Sequence, residues 1–397
     1  MAYPETYQSF RRTLGDLPQS VEAASETLPK NLGSNDVVIK IHTVSLNFRD
    51  VGILYGRYPA KSIDGGIIAS DCAAEVVAVG STVKDFKLGD YVVPIFSLMT
   101  SMITLTMMLQ HLEEMPKVFF EIYLLQASTL ACAGVTAWNV LDLPSDASEK
   151  NMSVLLQGTG GVSMFSLLLC IAAGVQPIIT SSSDCHGLEP GRDLRLCRSS
   201  YRDPAPPDPL FYRGTPPSPT TPSPLQLRIV NRRHLYVEQA WGPAPYTDQK
   251  IAAIKKLHPS VQGINYKTTP NVAAEVRRIT NGRGVDVVVN NTGPASIIDD
   301  LDALRQKNGH VSLVGFLDGF KAEWDQSAIL GFMNKRASLR GIRVGSKKDY
   351  IQLFDFLEKH QIALTPLVDR VFPFSESREA CDYLYSGKHV GKVVIKI

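Results

Sequence analysis

Three things are scarce in this sequence: long apolar runs, paired cysteines and excess charge of either sign. The most apolar stretch, Phe96 to Leu109, carries threonines and soon meets Glu113 and Glu114. A membrane-spanning helix needs about 20 consecutive apolar residues, so this stretch is too short and too interrupted to be one. The opening "MAYPETYQSF" has no apolar core of the signal-peptide kind. Six cysteines (Cys72, Cys132, Cys170, Cys185, Cys197, Cys381) are scattered without a C-x-x-C pair. They read as reduced thiols of a cytoplasmic protein, not as a disulfide framework. Lys and Arg number 41 against 39 Asp and Glu, a net charge of +2. That balance gives no case for nucleic acid or a membrane surface as partner.

What is present is ordinary globular composition, 397 residues with 44% hydrophobic and 20% charged, long enough for two domains. "DVVIKIHTVSLN" (36–47) alternates apolar and polar residues, as a half-buried antiparallel strand does. "AAEVVAVGSTVKDFKLGDYVVPIF" (73–96) adds two more strands around Gly-containing turns, and a small β-barrel is the expected form. From Ser153 the pattern changes. "SVLLQG", "QPIIT", "GVDVVVNN" and "HVSLVGF" are continuously apolar strands, and "SMFSLLLCIAAG" is a helix closed by Gly174. Apolar strands alternating with helices predict a parallel sheet covered on both faces. The tail "HVGKVVIKI" alternates again and is expected to rejoin the first domain.

Two stretches break the pattern. Residues 185 to 247 hold 12 of the 25 prolines and eight arginines but no lysine. Such text forms neither helix nor central strand and reads as a disordered insertion. A proline-rich docking segment and a non-native insertion, such as retained intron sequence, are both open readings. Without it, Asp184 runs into Gln249 and Lys250 as a normal strand-to-helix join. Residues 97 to 126 hold five of the nine methionines in a loosely helical pattern, read either as an altered exon or as a substrate-pocket lid.

"VLLQGTGGVSMFSLLL" sets Gly158, Thr159, Gly160, Gly161, Val162 and Ser163 between a strand and a helix. Gly158 permits the tight turn and Gly160 lets the backbone approach a pyrophosphate, which then meets the free N–H groups of a helix N-terminus. A glycine pattern alone is weak, but here both flanking elements are present. The next strand ends in Thr180, Ser181, Ser182 and Ser183, with no carboxylate to hold a free ribose 2′-hydroxyl. Small hydroxyls, with Lys250 following the insertion and Tyr266 from the third strand, suit a 2′-phosphate, so NADPH (NADP+) is favoured over NADH. Asp184 is the counter-indication, beyond the strand end.

"VSLNFRDVGILYGRYP", "SDCAAEVVAVGSTVKDFKLGDYVV", "ASTLACAGVTAWNVL", "VLLQGTGGVS", "INYKTTP", "GRGVDVVVNNTG", "LRGIRVGS" and "GKHVGKVVIKI" run in one order over most of the chain. In this the chain resembles the medium-chain dehydrogenase/reductase superfamily, and within it the zinc-independent quinone-oxidoreductase-like and fungal alcohol-dehydrogenase-like (enoyl reductase) branch. The resemblance implies an α/β protein with a GroES-like β-barrel domain (1–128), a Rossmann doubly wound parallel-sheet domain (129–346) and a return to the first domain (347–397). It also implies hydride transfer between nicotinamide and a carbonyl or activated double bond of a small-molecule substrate. A homodimer paired through Ser338 to Gly345 is expected from the same source.

Zinc-containing members use two cysteines and a histidine as catalytic ligands. This chain has Asn47, Ser70 and Cys132 at those positions. An amide and a hydroxyl are poor zinc ligands, and the four-cysteine lobe of a structural zinc is missing, so no zinc is expected. The resemblance places Asn47, Asp50 and Tyr58 along the nicotinamide cleft, and Thr136, Gly315 and Phe316 among the cofactor-binding positions. Asn47 and Tyr58 are candidate hydrogen-bond donors to a carbonyl, and Asp50 orients its neighbours or serves as a buried structural carboxylate. The expected activity is NADPH-dependent reduction of a quinone or enone. Alcohol oxidation or carbonyl reduction is one alternative, and a nucleotide-binding protein without turnover, inactivated by the insertion, is another.

Overall fold

The computed structural model describes residues 3–59, 62–96, 103–109, 123–144, 146–181 and 247–397. The N-terminal part is built on β1 (Thr6–Arg12), β2 (Val21–Thr27), β3 (Val37–Ser45), β4 (Asp71–Val79), β5 (Tyr91–Phe96) and β6 (Ile103–Leu109). A parallel sheet follows from β7 (Ser153–Leu156), β8 (Gln176–Ser181), β9 (Gln262–Asn265), β10 (Val287–Asn290), β11 (His310–Leu313) and β12 (Ser338–Gly341). The chain then returns through β13 (Val368–Pro373) and β14 (Lys392–Lys396). Strands β1 and β2 form an antiparallel hairpin, and the order in the first large sheet is β13-β14-β3-β4-β5-β6. The tail therefore does rejoin the first sheet, with β14 antiparallel to β3 and Val394 opposite Ser45.

The order of the parallel sheet is β12-β11-β10-β7-β8-β9. Strand β7 is where the winding reverses, and a nucleotide crevice belongs at the carboxyl end of such a strand. Strands β7 and β10 are buried along their whole length. Val154 and Leu156 face one hydrophobic cluster, with Phe165 and Leu169 of the helix Gly161–Ala172 and with Tyr350 and Leu353 of the helix Lys347–Lys359. Leu155 faces the other, with Ile178, Val288, Val276 and Leu301. Alternate residues of one strand thus serve two cores. That is the GroES-like plus Rossmann α/β architecture expected from the sequence. At about 1.5–3 kcal/mol for each fully buried large apolar side chain, these two layers hold the nucleotide domain together.

The fold continues across the proline-rich stretch. Strand β8 ends at Ser181, the helix Thr247–Lys255 covers the crossover, and β9 lies parallel to β8 with Asn265 opposite Ser181. Residues 182 to 246, Ser182 among them, lie outside the described residues. The loosely helical reading of 97 to 126 is corrected over Ile103–Leu109, which pairs antiparallel with β5. "ITLT" alternates apolar and polar residues there, and β5 offers an open edge, which decides for a strand. Among the described residues no helix is long and apolar enough to cross a membrane.

Candidate active site

The phosphate loop forms as its glycines require. Gly158 has φ +73°, a turn that L side chains rarely adopt, and its N–H donates to Thr180 Oγ1 at 3.1 Å. Gly160 is the N-cap of the helix Gly161–Ala172, and a Cβ placed on it meets nothing within 4 Å. The loop therefore presents an open surface and the positive end of a helix at the carboxyl end of β7, which fits the pyrophosphate of a dinucleotide. Ser163 donates to the Gln157 carbonyl at 2.8 Å and closes the turn from inside. Thr159 is buried, and its carbonyl accepts from the Gly391 N–H at 2.8 Å, while Val162 packs partly buried against the core.

At the tip of β8, Ser181 is buried and its carbonyl accepts from the N–H of Tyr266, whose side chain is half exposed. These two are brought together. Lys250 is not free at that tip. It is buried, and its ammonium donates to the carbonyls of Gly387 and His389. The return segment passes alongside the helix Thr247–Lys255 and claims the charge that the sequence suggested for a 2′-phosphate.

A second group of residues meets where β14 runs beside Leu46 and Asn47. The Asn47 N–H donates to Asp50 Oδ2 at 2.8 Å, and its Nδ2 donates to Asp71 Oδ2 at 3.0 Å. Lys392 donates to Asn47 Oδ1 and to the Leu46 carbonyl, both at 2.6 Å. Asp71 also accepts from the Cys132 N–H at 3.1 Å and from the Ser70 hydroxyl at 3.1 Å. Lys392 reaches this place by passing under the phosphate loop, since a Cβ on Gly161 would stand 2.5 Å from Lys392 Cδ. Only glycine at 161 leaves room for that stem. Cys132 sits in the π-helical turn Leu130–Gly134, and buried Thr136 lies in the first turn of the following helix, Val135–Leu141. Such turns are frequent at functional sites.

Burial dominates the electrostatics. It raises the carboxyl of Asp71 and lowers the ammonium of Lys392, each against the pull of its partner. It pushes the Cys132 thiol up to about 12 and raises the Tyr58 phenol, so both groups are protonated at neutral pH. Asp50 is raised to about 6, again by burial first. Its folded value lies above its unfolded value of 3.8, so its favourable contribution is complete below pH 4 and is lost as pH rises through 6. Asp50→Asn keeps an acceptor for Asn47 and removes the buried charge. It is expected to stabilise by about 1–3 kcal/mol at pH 7.5 and to gain nothing at pH 4. Urea unfolding at the two pH values reads this, and a loss of stability at pH 7.5 contradicts it.

An aromatic cluster draws on both parts of the chain. Phe316 follows β11 and lies 5.8 Å from Phe48 and 5.6 Å from Tyr58, centroid to centroid. Arg57 donates to the Leu317 carbonyl, and the Gly315 N–H is held by the Asn290 carbonyl. Phe316 thus meets Phe48 and Tyr58, whereas Asp50 is buried behind Asn47.

Two groups escaped the sequence reading. One is the pair Asp71 and Lys392, each a buried charge at the first position of a largely apolar strand, which was the available signal. The other is a buried network below the loop. Gln157 accepts from Thr292 and donates to Asp300 at 2.6 Å, and Asn290 donates to the same carboxylate, which burial raises to about 7. Asn291 ties this network to Ser163 at 3.0 Å.

The donor set does not fit a zinc ion. At the three positions that the resemblance assigns to zinc ligands, Asn47 Oδ1 is taken by an ammonium and the Ser70 hydroxyl donates to Asp71, so Cys132 alone brings a thiol. A lysine ammonium within hydrogen-bond reach of a would-be ligand opposes a second cation. No cluster of three His, Cys, Asp or Glu suited to a metal occurs among the described residues.

Residues 33–111 match the alcohol dehydrogenase GroES-like domain family, and residues 261–395 match the zinc-binding dehydrogenase family. A zinc-type alcohol dehydrogenase-like protein of Schizosaccharomyces pombe is 29% identical over 394 residues, 93% of each chain. Among solved structures, the quinone oxidoreductase of Escherichia coli in complex with NADPH has a TM-score of 0.64 at 17% identity, covering 98% of this chain and 100% of that one. The quinone oxidoreductase of Pseudomonas syringae pv. Tomato has a TM-score of 0.65 at 17% identity, over 98% and 99%.

Proposed function

Because the chain belongs to the medium-chain dehydrogenase/reductase superfamily of oxidoreductases, we propose that it reduces a quinone, enone or similar α,β-unsaturated carbonyl with NADPH and without zinc. The observation that carries the proposal is the open loop at Gly160 together with an Asn47 whose amide is tied to Lys392 and Asp71 and not free for a metal. Bound dihydronicotinamide supplies the hydride. The loop Gly158–Gly161 holds the pyrophosphate on backbone N–H groups. Asn47 donates a hydrogen bond to the carbonyl oxygen, and the Tyr58 phenol, kept neutral by burial, gives the proton. Phe48 and Phe316 keep water from the reacting atoms. The name of the Schizosaccharomyces pombe relative favours alcohol oxidation or carbonyl reduction as the second reading, and the same donors serve it. Pairing of two copies through the edge strand β12 is part of the proposal.

A fluorescence titration is expected to give a Kd for NADPH at least ~10-fold below that for NADH, a difference of about 1.4 kcal/mol. The support is the strand tip, where Ser181 and Tyr266 adjoin. NADPH is then expected to be oxidised by 2-cyclohexen-1-one or 1,4-benzoquinone. Turnover with secondary alcohols and NADP+ alone selects the second reading. Binding without turnover in either assay selects a nucleotide-binding protein, and tighter binding of NADH removes the cofactor assignment.

A further inference from the structure

Resting on the reductase reading above, we propose that Asn47 offers the substrate carbonyl one defined N–H, and that Lys392 and Asp71 are the positioning residues that fix which one. A side-chain amide has an oxygen that accepts and a nitrogen with two protons to donate, and crystallography at ordinary resolution distinguishes them only through their partners. Here the partners decide. The Lys392 ammonium can only donate, and it meets Oδ1 at 2.6 Å. The Asp71 oxygen facing Nδ2 at 3.0 Å accepts one proton, and that same oxygen also takes the Cys132 N–H, a donor that leaves it no proton of its own to give. The Asn47 backbone N–H is committed to Asp50. One amide proton is left, on a residue that is partly exposed.

The clamp is rigid for a further reason. Lys392 is itself fixed by the Leu46 carbonyl and by the narrow passage under Gly161, and Asp71 is fixed by Ser70. The positive end of Lys392 draws electron density from the amide oxygen and strengthens the remaining N–H as a donor. Ser70, Cys132 and Asn47, the three positions that hold a metal in zinc-containing relatives, all converge on one carboxylate in this chain. The electrophile it builds there is a polarised amide.

Asn47→Ala, Lys392→Met and the double variant test this with NADPH and 2-cyclohexen-1-one. Each single substitution is expected to lower kcat by ~10–100-fold, the scale of losing one aimed donor, with KM and the NADPH Kd within about threefold of the parent. The double variant is expected to be no slower than Asn47→Ala, because Lys392 acts through the amide. Multiplying losses in the double variant, or an unchanged kcat in Lys392→Met, overturns the inference and leaves the reductase reading in place. Should Lys392→Met fail to fold, the two Nδ2 protons of Asn47 in the unsubstituted protein decide, assigned by their loss in Asn47→Ala. One proton protected from solvent exchange and one that shifts on adding cyclohexanone supports the clamp, whereas equal exchange of both overturns it. The same spectrum decides the clamp if the protein turns over no carbonyl and the reductase reading itself falls.

Discussion

Gly160→Asp is expected to lose NADPH binding by at least ~100-fold, about 2.8 kcal/mol, while the protein melts at or slightly above the parent temperature. The two outcomes separate because of where Gly160 stands. It has φ −75° and ψ −179°, ordinary extended backbone, and a Cβ there meets no atom within 4 Å. It is also the N-cap of a twelve-residue helix, a position at which aspartate is among the preferred residues and glycine is second best. The fold therefore accepts the side chain. The new carboxylate, however, occupies the approach to the loop's N–H groups and opposes a diphosphate by charge. Fluorescence titration and thermal melting on one preparation read both effects. NADPH affinity within threefold of the parent contradicts the placement of the pyrophosphate.

Gly391→Ala is expected to do the reverse first, costing about 3 kcal/mol or more of stability. Gly391 has φ +91°, and a Cβ on it would stand 2.3 Å from the Leu367 carbonyl oxygen and 3.0 Å from its carbon, both backbone atoms. Neither can turn away as a flexible side chain can. The same residue donates its N–H to Thr159 and makes an isolated bridge to Gly160, so relief of the clash moves the phosphate loop. A fall of several degrees in melting temperature with weaker NADPH binding is the expected pair of results. A melting temperature within about one degree of the parent shows that the segment is looser than described. The two glycines thus answer different questions about one loop.

The elements legible in the sequence were those whose signal is local. Val154 to Leu156 and Val287 to Val289 are continuously apolar because each strand serves cores on both faces, and that survives any uncertainty about partners. The phosphate loop was legible because turn, close approach and helix start lie within a few residues. The strand Ile103–Leu109 was read as helix because methionine and leucine suit both periods, and only the open edge of β5 separates them. The bonds of Lys250 to the Gly387 and His389 carbonyls were not legible because those partners lie 137 and 139 residues away. Asp71 and Lys392 were missed for the same reason. Their partners are set by the registers of β14 and β4 on β3, which no window of sequence contains.

That register has a consequence for how the protein comes into being. Lys392 and Asn47 are separated by 345 positions, so the donor of the cleft acquires its orientation only when β14 docks. Contacts of such span close late and slowly, after the loops between them have been ordered. During synthesis, the parallel sheet with its phosphate loop can assemble while β14 is still in the ribosome, and an N-terminal strand edge waits unpaired beside it. A nascent chain stopped short of Gly391 then lacks both the Thr159 contact at the phosphate loop and the Lys392 contact at Asn47, and its open β3 edge is the surface a chaperone has to shield.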